Sequence, residues 1–196
     1  MKIERKLIFE VIYKNRFLIL SCAVLIAGTI FGTSMLNYLP EEICKNLYAF
    51  ISQDAKSFSA GFFNIFCFPF IMLLGIYLAG FSAFGYITSF IVIFINGVFF
   101  GFENGINYMF SGTDYIINGL ISYFTATLYF GFMLVIMAEN SVFSSRRILS
   151  RIKNKDAEIP HYNAKNQTVK FIAFTVIFAV FSAISAYISM IIQSDF

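Results

Sequence analysis

Lys and Arg are absent from a stretch of 89 residues that runs from Ser57 to Ser145. Charged residues make up only 13% of the whole chain, whereas 59% of its residues are apolar, and the mean hydropathy is +0.77. A soluble domain contains about 25% charged and about 45–50% apolar residues. A domain of 196 residues cannot hide so much apolar surface from water. This composition argues against a soluble domain and indicates a protein embedded in a lipid bilayer.

The residue types that usually carry chemistry are also scarce. The chain has one histidine, His161, and its cysteines, Cys22, Cys44 and Cys67, have no CxxC spacing. A zinc site or a disulfide framework needs more such residues at closer spacing. No GxSxG, HExxH or P-loop motif occurs. We therefore expect no catalytic residue, no metal and no cofactor, although an enzyme acting through carboxylates at the ends of spans stays open.

Five apolar segments are long enough to cross a bilayer, which takes about 20 helical residues. Only helices satisfy all their backbone hydrogen bonds within one segment in lipid. The sequence thus predicts an all-α bundle of about five transmembrane helices in a single membrane domain, 1–196, with a cytoplasmic loop at 139–170. The predicted spans are 17–36, 57–80, 84–102, 115–138 and 171–192.

The 14 basic residues predict the orientation of this bundle. Five lie before the first span, two lie between the first two spans, and seven lie in the 139–170 loop. Because basic loops stay in the cytoplasm, the N-terminus is predicted inside and the C-terminus outside a multi-pass cell-membrane protein. The net charge is only +3, and the basic residues lie beside apolar segments, which indicates contact with the bilayer. We therefore expect no nucleic-acid partner. Spans one, two and five contain no Asp, Glu, Lys, Arg or His, which argues against a proton-driven carrier.

The connection Phe81–Ala83 between spans two and three is very short and apolar. These spans form either a tight antiparallel hairpin or a re-entrant pair, and the charge count does not separate the two. We favour the hairpin because both segments are long enough to cross.

Three segments outside the spans have amphipathic patterns. The first 16 residues resemble an interfacial helix or a simple orientation signal. Pro40 sits where a first helical residue would be, and an amphipathic pattern follows it, so a short helix is predicted over 41–51. This helix offers either a docking surface for an extracytoplasmic partner or a lipid contact. The basic segment 145–155 is predicted to extend the fourth span as a helix along the inner surface, with Arg146, Arg147 and Arg151 as its arginines.

Small and amide residues are the candidates for helix contacts. Glycines four residues apart let helix backbones approach closely, and amides need hydrogen-bond partners in lipid. These residues either pack the spans inside one bundle or contact a second subunit, including a second copy of the chain. The candidates are Gly28, Gly32, Gly97, Gly101, Gly105, Asn64, Asn96 and Asn118.

Residues 61–105 resemble the stage II sporulation protein M family. The resemblance depends on Gly80 and Gly85 at a tight connection and on the following NGVFFGF element, in which Gly97 and Gly101 match a Gly-x-x-x-Gly-Phe pattern. The chain differs from that pattern where Tyr86 follows the second glycine, because a proline is common there.

This resemblance implies a fold of about five spans with a cytoplasmic N-terminus. It implies a non-enzymatic scaffold that gathers cell-wall-degrading partners during engulfment of the forespore. Relatives are also linked to circular-bacteriocin biosynthesis and ABC transporters, which implies the alternative of a membrane subunit in peptide export or immunity that works with an ATPase. In either case the expected partners are the bilayer and other membrane or cell-wall proteins.

Overall fold

The computed structural model describes the backbone of residues 15–51, 58–153 and 164–194, and every regular element in these ranges is a helix. Side chains are described for 15–48, 59, 61–63, 65–110, 129–152 and 165–188. The predicted all-α class is confirmed. A 3₁₀ turn, Leu36–Tyr38, follows the first helix. The helices are α1 (Arg16–Met35), α2 (Glu41–Ile51), α3 (Phe58–Ala79), α4 (Gly85–Lys153) and α5 (Ala164–Ser194).

Four helical segments are long and apolar enough to cross a membrane, which is consistent with a membrane protein. They are Arg16–Tyr38, Gly61–Ala79, Gly85–Phe110 and Lys165–Ile188. They coincide closely with the first, second, third and fifth predicted spans. Most of the fourth predicted span, 115–138, lies where side chains are not described, so the total of five spans stays a prediction.

Helix α4 folds back on itself. Its 69 residues would extend about 100 Å as a straight helix. The hydroxyl groups of Ser89 and Ser141 are nevertheless only 3.0 Å apart. The chain must therefore reverse direction between these two serines, so that Gly85–Phe110, which we call the first arm, and 129–153, which we call the second arm, lie antiparallel.

The contacts between helices fix their relative directions. Gly28 of α1 faces Gly97, and Gly32 lies against the next turn of the first arm of α4, so these two segments run parallel. Phe66 of α3 stacks on Phe178 of α5, whereas Tyr77, later in α3, stacks on Phe171, earlier in α5. Helices α3 and α5 therefore run antiparallel. The segments thus alternate in direction along the chain. The core between them contains Leu73, Ile76, Ile93, Phe130, Leu134 and Phe178.

The connection between α3 and α4 is a tight turn. The backbone N–H groups of Phe81, Ser82 and Gly85 each donate to a carbonyl three residues earlier. Helix α3 has 22 residues and the first arm of α4 has 26, so each is about 30 Å long or longer. Both helices are therefore long enough for a full crossing, and the choice between the favoured hairpin and a re-entrant pair stays a prediction.

Helix occupies most of the predicted cytoplasmic loop 139–170, and the placement of this segment outside the membrane stays a prediction. Helix α4 continues to Lys153 and α5 begins at Ala164, with no proline or glycine between residues 139 and 153 to end the helix. Its basic part is the predicted helical extension of the second arm. Pro160 and His161 lie outside the described residues, as does the amphipathic pattern of residues 1–14.

The short helix α2 has the predicted bounds, Glu41–Ile51. Pro40 immediately precedes it, and its carbonyl accepts from the N–H groups of Ile43 and Cys44. The side chain of Cys44 is fully buried, and Tyr48 stacks on Phe110 at a centroid distance of 5.0 Å. Helix α2 therefore packs against the end of the first arm of α4.

Candidate functional site

The small residues of α1 and of the first arm of α4 face each other within one chain. A Cβ atom added to Gly28 would lie 2.5 Å from the Phe94 carbonyl oxygen and 3.1 Å from Gly97 Cα. A Cβ added to Gly97 would lie 3.1 Å from Gly28 Cα. Backbones approach this closely only where side chains are missing. We call this contact, including the next turn of each helix, the glycine interface.

The glycine interface continues toward α2. A Cβ atom on Gly32 would collide with the backbone of the first arm of α4, and one on Gly101 would collide with the backbone of Thr29. Gly105 lies against the side chain of Leu36 beyond the end of α1. All five predicted glycines therefore contribute to one contact between two segments of the same chain.

In this structure the glycines are covered by their own chain, which supports internal packing over contact with a second subunit. The physical reason is proximity. Two glycine-bearing segments of one chain associate without the loss of translational freedom that a separate subunit must overcome. A partner would have to separate α1 from α4 to reach the glycine interface.

Of the three predicted amide side chains, the structure describes that of Asn96. Asn96 is only 7% exposed and lines a small cavity with Cys22 and Phe100. Asn64 lies in α3 and Asn118 lies in α4, but their side chains are outside the described set.

The two basic regions of the chain meet at one end of the bundle. The guanidinium carbon of Arg146 lies 4.3 Å from the centroid of the Phe17 ring, and that of Arg16 lies 5.0 Å from it. The Phe17 ring also contacts the edge of Phe143 at 5.7 Å. Such cation–π contacts tie the start of α1 to the second arm of α4. We call this the basic end of the bundle.

Buried serines lie beneath the basic end. The Ser145 hydroxyl donates to the Ala83 carbonyl at 2.9 Å and accepts from the Tyr86 backbone N–H at 3.2 Å. Ser141 shares a hydrogen bond with Ser89, and both side chains are fully buried. These bonds fasten the turn between α3 and α4 to the second arm of α4.

Gln167 adds α5 to this cluster. Its side-chain oxygen accepts from the Ser144 hydroxyl at 3.0 Å, and its side-chain nitrogen lies 3.4 Å from the Tyr77 carbonyl oxygen. Gly80 leaves the space for this amide, because an added Cβ would collide with the Gln167 side chain. Nearby, the Lys170 ammonium donates to the Asn140 side-chain oxygen at 2.8 Å.

This serine and glutamine cluster was not predicted from the sequence. A signal was present, since Ser141, Ser144 and Ser145 are three and four residues apart and share a helix face. The signal was hidden because serine is common at the ends of spans. Its partners, Ala83 and Gln167, are 62 and 23 residues away from the serines they contact.

Beyond the cluster, the second arm of α4 continues as a helix to Lys153. Its last described residues, 149–152, are all exposed. Arg147 and Arg151 lie four residues apart on this extension, and neither forms an ion pair within the described part of the chain. We call this segment, residues 146–153, the basic extension.

The described residues hold no group of three or more His, Cys, Asp or Glu side chains that could bind a metal ion. Cys22, Cys44 and Cys67 are all free thiols. On α2, the Lys45 ammonium lies 2.9 Å from the Glu41 carboxylate and holds the pKa of that exposed carboxyl below its ordinary value by hydrogen bonding and charge.

The resemblance to the stage II sporulation protein M family stays a prediction. No protein-family model, curated protein or solved structure matches this chain.

Proposed function

We propose that this chain is a non-enzymatic membrane subunit that holds other proteins at the cell membrane through its basic extension. The observation that carries the proposal is the continuation of α4 as a helix to Lys153, with Arg147 and Arg151 exposed and without ion-pair partners in the described residues. An unpaired basic helix surface attracts an acidic partner and sets its register. The glycine interface is covered, so we assign it to internal packing.

This proposal includes the topology of five spans with the N-terminus inside and the C-terminus outside. Two features support it. The segments of the bundle alternate in direction, and Arg16 lies close to Arg146 at one end. By the positive-inside rule that end faces the cytoplasm, which places α2 on the outer surface.

Cysteine labelling tests this topology. In a chain whose native cysteines are replaced by alanine, we introduce Glu42→Cys or Arg151→Cys, both at exposed positions. A membrane-impermeant maleimide added to intact cells should label the Glu42→Cys protein and leave the Arg151→Cys protein unlabelled until the membrane is permeabilised. The reverse pattern would contradict the proposed orientation.

Partner capture tests the function. The double variant Arg147→Glu, Arg151→Glu, purified from its native host in mild detergent, should recover its partner at a level about tenfold below wild type, because two attractive contacts become repulsive. The matched control, Arg147→Lys with Arg151→Lys, keeps the charge and should retain most of the partner. Equal recovery by the wild-type and glutamate variants would rule out the basic extension as the docking surface.

The identity of the captured protein separates the two functions that the resemblance implies. Cell-wall-degrading or other membrane proteins support the scaffold, which would include a role in sporulation. An ATPase that is lost on charge reversal supports the alternative, a membrane subunit of a peptide export or immunity system.

A further inference from the structure

A cavity of about 70 Å³ lies between α1 and the two arms of α4. Cys22 and Leu25 line it from α1, Asn96 and Phe100 from the first arm, and Phe132 from the second arm. Phe132 is 59% exposed, so the cavity borders the outer surface of the bundle. The cavity borders the glycine interface at Leu25 and lies apart from the basic end.

The cavity is lined by an amide without a hydrogen-bond partner. Asn96 is 93% buried as a residue, and its side chain makes no hydrogen bond within the described part of the chain. Asn96 is near the middle of Gly85–Phe110, so in the proposed membrane setting it lies at the depth of the lipid chains. An unpaired amide in an apolar environment is unfavourable by several kcal/mol. A ligand that hydrogen-bonds to Asn96 would remove this penalty.

Water does not suit this cavity well. A buried water molecule typically makes about three hydrogen bonds. Apart from Asn96, the side chains that line this cavity are apolar groups and the weakly polar thiol of Cys22. An apolar molecule with a single polar group matches these walls better, since one amide can satisfy it and the aromatic rings of Phe100 and Phe132 can contact the rest.

We propose that this cavity binds the carbonyl or hydroxyl end of a neutral lipophilic molecule that enters from the hydrocarbon layer. Asn96 recognises the polar group, and the apolar walls hold the adjoining carbon atoms. The volume has room for about five water-sized groups, so one end of a larger molecule is bound and the remainder extends past Phe132 into lipid. The inference rests on the membrane setting of the proposed function and is independent of the basic extension.

A titration with two probes of the same shape tests this site. The ketone 2-butanone and the alkane 2-methylbutane differ by a carbonyl oxygen in place of a methyl group. We would follow the ¹³C-methyl NMR signals of Leu25 and Val135, which line the cavity, in protein held in lipid nanodiscs. The Val142 methyl signals provide a reference, because that side chain is fully buried and does not line the cavity.

For the wild-type protein, the half-saturating concentration in the bilayer should be about fivefold lower for 2-butanone than for 2-methylbutane, which is the effect of one net hydrogen bond. In Asn96→Leu the two probes should become equivalent. The variant Cys22→Phe fills the cavity and keeps Asn96, and it should abolish the shifts from both probes.

Three results would overturn the inference. These are equal affinity of the two probes in the wild type, a preference for 2-butanone that persists in Asn96→Leu, and shifts no larger at Leu25 and Val135 than at Val142. If Asn96→Leu does not fold, the wild-type preference and the Cys22→Phe variant still decide the question. If any of these three results is found while partner capture still depends on the charge of the basic extension, the cavity site is ruled out and the proposed function is retained.

Discussion

Adding a single methyl group at Gly97 is expected to destabilise the bundle by about 2–3 kcal/mol, the upper part of the range for overpacking a filled contact. In Gly97→Ala the new Cβ would collide with the Leu25 carbonyl oxygen and lie 3.1 Å from Gly28 Cα. These atoms belong to the backbone of α1, so no side-chain rotation relieves the contact and α1 must move away from α4. The shift in the midpoint of unfolding in mild detergent measures the effect.

The matched control for this prediction is Gly75→Ala in α3. A Cβ atom at Gly75 would meet no other atom within 4 Å, so this methyl group adds helix propensity without a clash. We expect the midpoint of Gly75→Ala to equal or exceed that of wild type. Equal midpoints for Gly97→Ala and Gly75→Ala would contradict the close approach of α1 to α4.

A double variant checks that Gly28 and Gly97 act on the same contact. After one added methyl group has separated the two helices, a second methyl group should lower the free energy of unfolding by a smaller amount. We therefore expect the loss of stability in Gly28→Ala with Gly97→Ala to fall short of the sum of the single losses, as it does for residues in direct contact. Strict additivity would indicate that the two glycines face different neighbours.

The glycine pattern shows which part of a helix contact can be predicted from the sequence. Spacing identifies Gly28, Gly32, Gly97 and Gly101 as contact residues, because four-residue steps return to the same helix face. Spacing does not state which surface lies opposite, so internal packing and contact with a second subunit both stayed open. The choice depends on the relative direction and register of two helices, which are tertiary properties.

Helix positions were more predictable than contacts. Apolar length fixed the first three spans to within a few residues at most ends, and the pattern after Pro40 fixed the bounds of α2. In the segment 139–170, the helical extension predicted over 145–155 is present as far as Lys153, and helix also covers 164–170. Charged residues end the membrane-embedded part of a helix, but Arg, Lys, Glu and Leu are good helix formers and let the helix continue into water.

The cluster beneath the basic end could not be predicted, because it joins residues from three distant segments. Ser145 alone looks like a span-end residue, and its role arises only when α4 folds back and brings it to Ala83. Asn96 is a different case. The sequence marked it as an amide in need of a partner, but only the structure shows that it faces a cavity.

Replacing Ser145 by alanine is expected to cost about 3 kcal/mol, because two buried backbone groups lose their partner together. The Ala83 carbonyl and the Tyr86 N–H both bond to this hydroxyl, and the Ser145 side chain is fully buried, so water does not replace it readily. The expected result is a lower unfolding midpoint. Hydrogen exchange at the Tyr86 amide should also become at least tenfold faster, since its bond is lost.

The control for this prediction is Ser150→Ala on the basic extension. Ser150 is exposed and its hydroxyl donates to the carbonyl of Arg147 in its own helix, so its loss should change stability by less than about 0.5 kcal/mol. If Ser145→Ala and Ser150→Ala unfold at the same midpoint, the Ser145 hydroxyl does not hold the turn. A different result is that only Ser145→Ala is destabilised and that it also loses partner capture. In that case the bonds between Ser145 and the turn control the direction of the basic extension.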